Sequence, residues 1–174
     1  MEDLFPGLMS APNLHPMVVH FPIAFWVAAA GAWLVGLVRK NDTFWRFGLW
    51  LHSMALVGAA VAIGFGFWAT SSMGHDSPGH GLVHVHRDLM LWTTALAAVV
   101  TGLGWWRRSA GYRRTLVALS LVVMGLLSVG ADRGAALVFR YGMGVANEAP
   151  PEDGHSHSDG DEGQSEPSDG HDHD

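Results

Sequence analysis

Four stretches of this chain run almost free of charge, and each is bounded by charged or turn-forming residues. Residues 17–38 carry no charge and end at Arg39-Lys40-Asn41-Asp42. A helix needs roughly 20 apolar residues to cross hydrocarbon, so this stretch predicts a first membrane span. Pro22 has no N–H for the carbonyl four residues back, so the helix should kink or truly begin there. Residues 47–70 predict a second span, broken only by His52 and Ser53. Residues 71–83 read as a loop, rich in glycine with Asp76, Ser77 and Pro78. A third apolar run, 89–106, is entered through His84-Val85-His86-Arg87-Asp88 and ends at Arg107-Arg108; the fourth, 115–131, is the shortest. Counting the histidine-bearing lead of the third, the spans are about 17–38, 47–70, 86–106 and 115–131. Residues 1–16 read as interfacial, and 132–145 as an interfacial helix or an extension of the fourth span. No internal repeat is visible. The pattern predicts an all-α membrane protein, a four-helix up-down bundle over 1–146.

Composition sharpens this picture. The chain is 49% hydrophobic and 15% charged, with 22 glycines and eight tryptophans, too apolar and glycine-rich for an ordinary soluble domain. There is no cysteine, which excludes disulfides, iron–sulfur clusters, covalently attached haem and thiolate zinc sites. The acidic start Met1-Glu2-Asp3 lacks the basic region of a cleaved signal peptide, so the first apolar segment reads as retained. The net charge of −6 comes mostly from residues 147–174, and no basic patch suggests nucleic acid. That tail, made of Gly, Asp, Glu, Ser, Pro and His without a large apolar residue, reads as disordered. Lys and Arg concentrate between the first and second and between the third and fourth spans, at Arg39, Lys40, Arg46, Arg107, Arg108, Arg113 and Arg114. By the positive-inside trend both termini then face away from the cytoplasm, which for a bacterial inner membrane means the periplasm.

The histidines carry the candidate chemistry, because an ionisable ring at membrane depth is costly and marks function by default. Counted up from the cytoplasmic end of each span at about 1.5 Å per residue, His20 lies roughly 27 Å up and His86 roughly 28 Å up. His52 is deeper, about 11 Å above Trp45. In an up-down bundle the first and third helices sit diagonally opposite, and a haem held by two imidazoles needs that arrangement. His86, Met90, Thr93, Ala97, Thr101 and Gly104 form one stripe of small and polar residues, and His20, Ala24, Ala28 and Gly31 another, as expected of a bundle interior. The predicted site is a b-type haem between His20 and His86 near the periplasmic face. His84 replaces His86 if the third helix starts late. Arg87, Arg133 and Arg140 defy the positive-inside trend and lie where haem propionates would project. Plainer readings stand beside this one: His86 as a helix cap facing water, His20 bonded to a carbonyl beside the Pro22 kink, or another metal between them. His52 reads more readily as a satisfied interior histidine than as a ligand, and its only partner at that depth is Met124. Trp45, Trp68, Trp105 and Trp106 suggest an interfacial belt.

His155 and His157, with His171 and His173, lie among acids and can chelate zinc, nickel or copper, joined by His75 and His80 of the loop. No Asp or Glu lies within the apolar runs 17–38, 47–70, 89–106 and 115–131, which argues against a transporter. No nucleophile–base constellation or paired carboxylate appears, so a carrier or redox subunit with a periplasmic or membrane redox partner fits better than an enzyme. A divalent-metal-binding membrane protein and a structural subunit of a larger complex are the other classes.

His15-Pro16-Met17-Val18-Val19-His20-Phe21-Pro22-Ile23-Ala24 resembles the opening signature of the bacterial membrane family catalogued as domain of unknown function 2231. Gly134-Ala135-Ala136-Leu137-Val138-Phe139-Arg140-Tyr141-Gly142-Met143-Gly144-Val145 resembles its closing signature, with Ala135 where a second glycine is common and Phe139 where tyrosine is common. The resemblance covers about residues 10–146. It implies an outline similar to small four-helix b-type cytochromes, and His20 and the closing segment as parts of one site.

Overall fold

The computed structural model describes residues 13–71, 73–74, 76–106 and 110–144. The tail and His75 lie outside them. A short α1 (His15–Val18) leads into α2 (His20–Arg39), followed by α3 (Asp42–Thr70), α4 (His80–Trp106) and α5 (Ala110–Tyr141). All four long helices are long and apolar enough to cross a membrane. Pro22 leaves the Val18 carbonyl without a donor, so the hydrogen-bond ladder lapses at Val19, while the backbone there stays helical at φ −60° and ψ −23° and α1 runs on into α2. Residues 132–141 continue α5 as an extension of the fourth span.

The α2–α3 turn is tight. Lys40 takes the left-handed conformation at φ 52°, the Asn41 N–H donates to Gly36 O at 3.0 Å, and the Asn41 side chain accepts from Thr43 N at 2.8 Å. Such a reversal leaves α2 and α3 antiparallel neighbours, and α4 and α5 pair likewise. Contacts of α3 with α4 and of α2 with α5 close the ring, so α2 faces α4 across a diagonal.

The burial pattern exposes a duplication that residue identity hides. Counted from His15 and His86, the same offsets are buried: Pro22 with Thr93, Trp26 with Ala97, Ala29 with Val100, Ala30 with Thr101, Trp33 with Gly104, each pair 71 residues apart. On the other two helices Gly48 matches Leu116, Leu49 Val117, His52 Ser120, Ala55 Val123, Ala59 Leu127 and Ala62 Gly130, each pair 68 residues apart. The two hairpins are therefore related by a pseudo-two-fold axis running down the bundle. Residues on such an axis meet their own counterparts, and three pairs do. His15 faces His86, His52 bonds Ser120, and the Trp33 ring lies against Gly104. Lipid tails are as apolar as a protein core, so close packing of this kind, large against small, holds membrane helices together. A Cβ at Gly104 would lie 2.8 Å from Leu49 Cδ1, and one at Gly48 would strike the Trp33 ring.

Candidate functional site

At the end of the bundle where α1 and α4 begin, the axis runs between two imidazoles. His15 opens α1, its backbone N–H bound at 3.2 Å by the Asn13 side chain. Its Nδ1 lies 2.8 Å from Ala62 O on α3; His86 Nδ1 lies 2.8 Å from Gly130 O on α5. A carbonyl only accepts, so each ring carries its proton on Nδ1 and keeps the lone pair of Nε2 for another partner. Neither Nε2 has a hydrogen bond among the described residues. The ring centroids are 6.4 Å apart with planes at 86°. One turn beyond each acceptor stands a glycine. A Cβ at Gly66 would lie 3.1 Å from His15 Cε1, and one at Gly134 would lie 3.1 Å from His86 Cε1. Both glycines thus let an imidazole lie flat against a helix backbone. The two halves build the same device: histidine, carbonyl, glycine.

This corrects the pairing predicted from sequence. The structure sets His15, not His20, opposite His86. His20 is exposed, as is Leu91, its counterpart in the second half. Five residues turn a helix by about 500°, or some 140° net, so both histidines cannot share a face. The stripe of Ala24, Ala28 and Gly31 is exposed with His20, and Trp26, Ala29, Ala30 and Trp33 point inward instead. The stripe on α4 does face the interior, with Thr93, Ala97, Thr101 and Gly104 buried. Depth counting misled because the two starting points are not level: Trp105, from which His86 was counted, corresponds to Leu34, four residues short of Val38, from which His20 was counted. The missed residue, His15, carried a sequence signal: it opens the quoted motif and stands 71 residues from His86.

His52 is completely buried. Thr101 Oγ1 spends its proton on Ala97 O at 2.8 Å, so it accepts from His52 Nδ1 at 3.5 Å, and Ser120 Oγ donates to His52 Nε2 at 3.1 Å. Trp33 stacks on the imidazole at 4.5 Å and on Trp45 at 4.6 Å. Both nitrogens are engaged, which leaves none for Met124 or an iron. Trp45 is buried rather than part of a belt, whereas Trp68, Trp105 and Trp106 are exposed.

Arg87 pairs with Asp88 at 2.8 Å and Arg133 with Asp132 at 3.1 Å, each a sequence neighbour, and Arg140 is exposed. His84 turns from His86 toward His80, Nε2 to Nε2 at 2.9 Å. Among the described residues no group of three or more His, Cys, Asp or Glu is arranged to hold a metal. His75, His155, His157, His171 and His173 lie outside those residues.

Four lipid-length helices around an axial imidazole pair define a polytopic membrane bundle. The chain belongs to the family described as predicted membrane protein (DUF2231), whose model matches residues 11–147. No curated protein matches it, and no solved structure does.

Proposed function

We propose that this protein is a membrane electron carrier that holds one b-type haem between His15 and His86. The observation that carries the reading is the 6.4 Å separation of two rings whose Nδ1 atoms are both tied to backbone carbonyls. With metal–nitrogen bonds of about 2.0–2.1 Å and about 1.1 Å from nitrogen to ring centre, a linear bis-imidazole iron sets the centroids about 6.3 Å apart. Ligating histidines characteristically donate their other N–H to a carbonyl or carboxylate, which fixes the tautomer and raises ligand basicity. Ala62 O and Gly130 O are placed for that role, and Gly66 and Gly134 make room for the rings. A haem held by His15 and His86 would supply a reversible one-electron couple. Arg39, Lys40, Arg46, Arg113 and Arg114 lie towards the opposite ends of the spans, which by the positive-inside trend supports a periplasmic position for the imidazole pair. The redox partner then docks from that side or within the bilayer.

The test is the pigment of protein purified in detergent. One acid-extractable haem per chain is expected, low-spin when oxidised, with the strongly anisotropic electron paramagnetic resonance signal of perpendicular axial rings. Colourless protein from haem-replete cells, or two haems per chain, overturns the reading.

A further inference from the structure

α4 begins at His80, six residues before His86, and Asn13 stands where His84 does in the other half. This opening of α4 carries His80 and His84, four residues apart on one helical face, the spacing at which two histidines chelate one cation. Their Nε2 atoms share a hydrogen bond at 2.9 Å, with ring centroids 4.6 Å apart, and a bound cation would take the place of the shared proton. Two metal–nitrogen bonds of about 2.05 Å span 2.9 Å at an angle of about 90°. That is the angle between neighbouring ligands in a tetragonal or octahedral site; a tetrahedral ion would want them about 3.3 Å apart. Nitrogen ligands in tetragonal geometry suit copper(II) and nickel(II).

We infer that His80 and His84 form a two-imidazole chelate for a tetragonal divalent cation, separate from the axial pair. His84 and His86 are two residues apart and so lie on opposite sides of α4, which keeps the two sites distinct. The last described turn sits beside this chelate. A Cβ at Gly79, next to His80, would lie 2.9 Å from the Tyr141 ring and 3.0 Å from Met143 Cε.

The probe is copper(II) added to the full-length protein in which His155, His157, His171 and His173 are alanine. One equivalent is expected to bind with two-nitrogen coupling in its electron paramagnetic resonance spectrum. In that background His84→Ala, His80→Ala and the polar His84→Gln should each weaken binding at least tenfold. Unchanged copper affinity in the His80 and His84 variants, or loss of the signal on His15→Ala, overturns the inference. Unchanged helicity by circular dichroism keeps a folding defect from passing as a lost ligand.

Discussion

At the scale of single residues, glycines decide where rings can lie. Gly134→Ala puts a methyl 3.1 Å from His86 Cε1, with the ring held on its other side by Gly130 O. The ring must shift or the bond must lengthen, and overpacking of this kind costs about 1–3 kcal/mol. Gly66→Ala should behave alike, whereas Gly31 has nothing within 4 Å of its Cβ position. Gly31→Ala is expected to be neutral or to gain up to about 1 kcal/mol from helix propensity. Thermal unfolding in detergent checks all three. His52 offers a second case. Ser120→Ala removes the donor to a fully buried ring nitrogen, which should cost about 1–3 kcal/mol, measured as a lower unfolding temperature. His52 was legible as a satisfied histidine because a span without a matching partner ring offers it only hydroxyls. His15 was not, since a histidine preceding two prolines reads as interfacial until the helix is known to begin there.

At the scale of elements, spans were readable because charge and glycine punctuate them, and the helices cover the predicted stretches with longer ends. Facing was harder. Small residues line the interior of α4, but on α2 they stand on both faces, with Ala24, Ala28 and Gly31 exposed and Ala29, Ala30, Ala32 and Gly36 buried, so size alone does not identify the inward face there. The reason is complementarity. Trp33 fills the space that Gly104 leaves across the axis, so the inward face of α2 has to be large where that of α4 is small. At the α1–α2 junction the backbone is helical and only the Val18 carbonyl lacks a donor, because Pro22 has no N–H. Pro22→Ala restores that donor, and the expected result is equal or greater thermal stability, read from thermal unfolding in detergent.

At the scale of the whole molecule, two hairpins of unlike sequence repeat one plan. Identity could not reveal the repeat, since its matched positions include Trp26 with Ala97, Trp33 with Gly104 and His52 with Ser120; only burial shows it. Of the pairs that meet on the axis, Trp33 with Gly104 and His52 with Ser120 differ, whereas His15 and His86 keep the same histidine–carbonyl–glycine device. Each hairpin pairs two spans through its own short connection, so co-expressed chains covering residues 1–74 and 76–174 should assemble in the membrane and co-purify, as independently inserted helices do when packing drives association. Failure to co-purify would show that the connecting loop, not the interface, holds the halves together.

The most direct measurement of the central claim is the reduced-minus-oxidised visible spectrum of the purified protein and of three single variants. His15→Ala and His86→Ala are each expected to abolish the sharp low-spin bands, and His20→Ala to leave them unchanged. Bands that survive loss of His15 or His86, or that vanish with His20, would contradict an axial site built from those two rings.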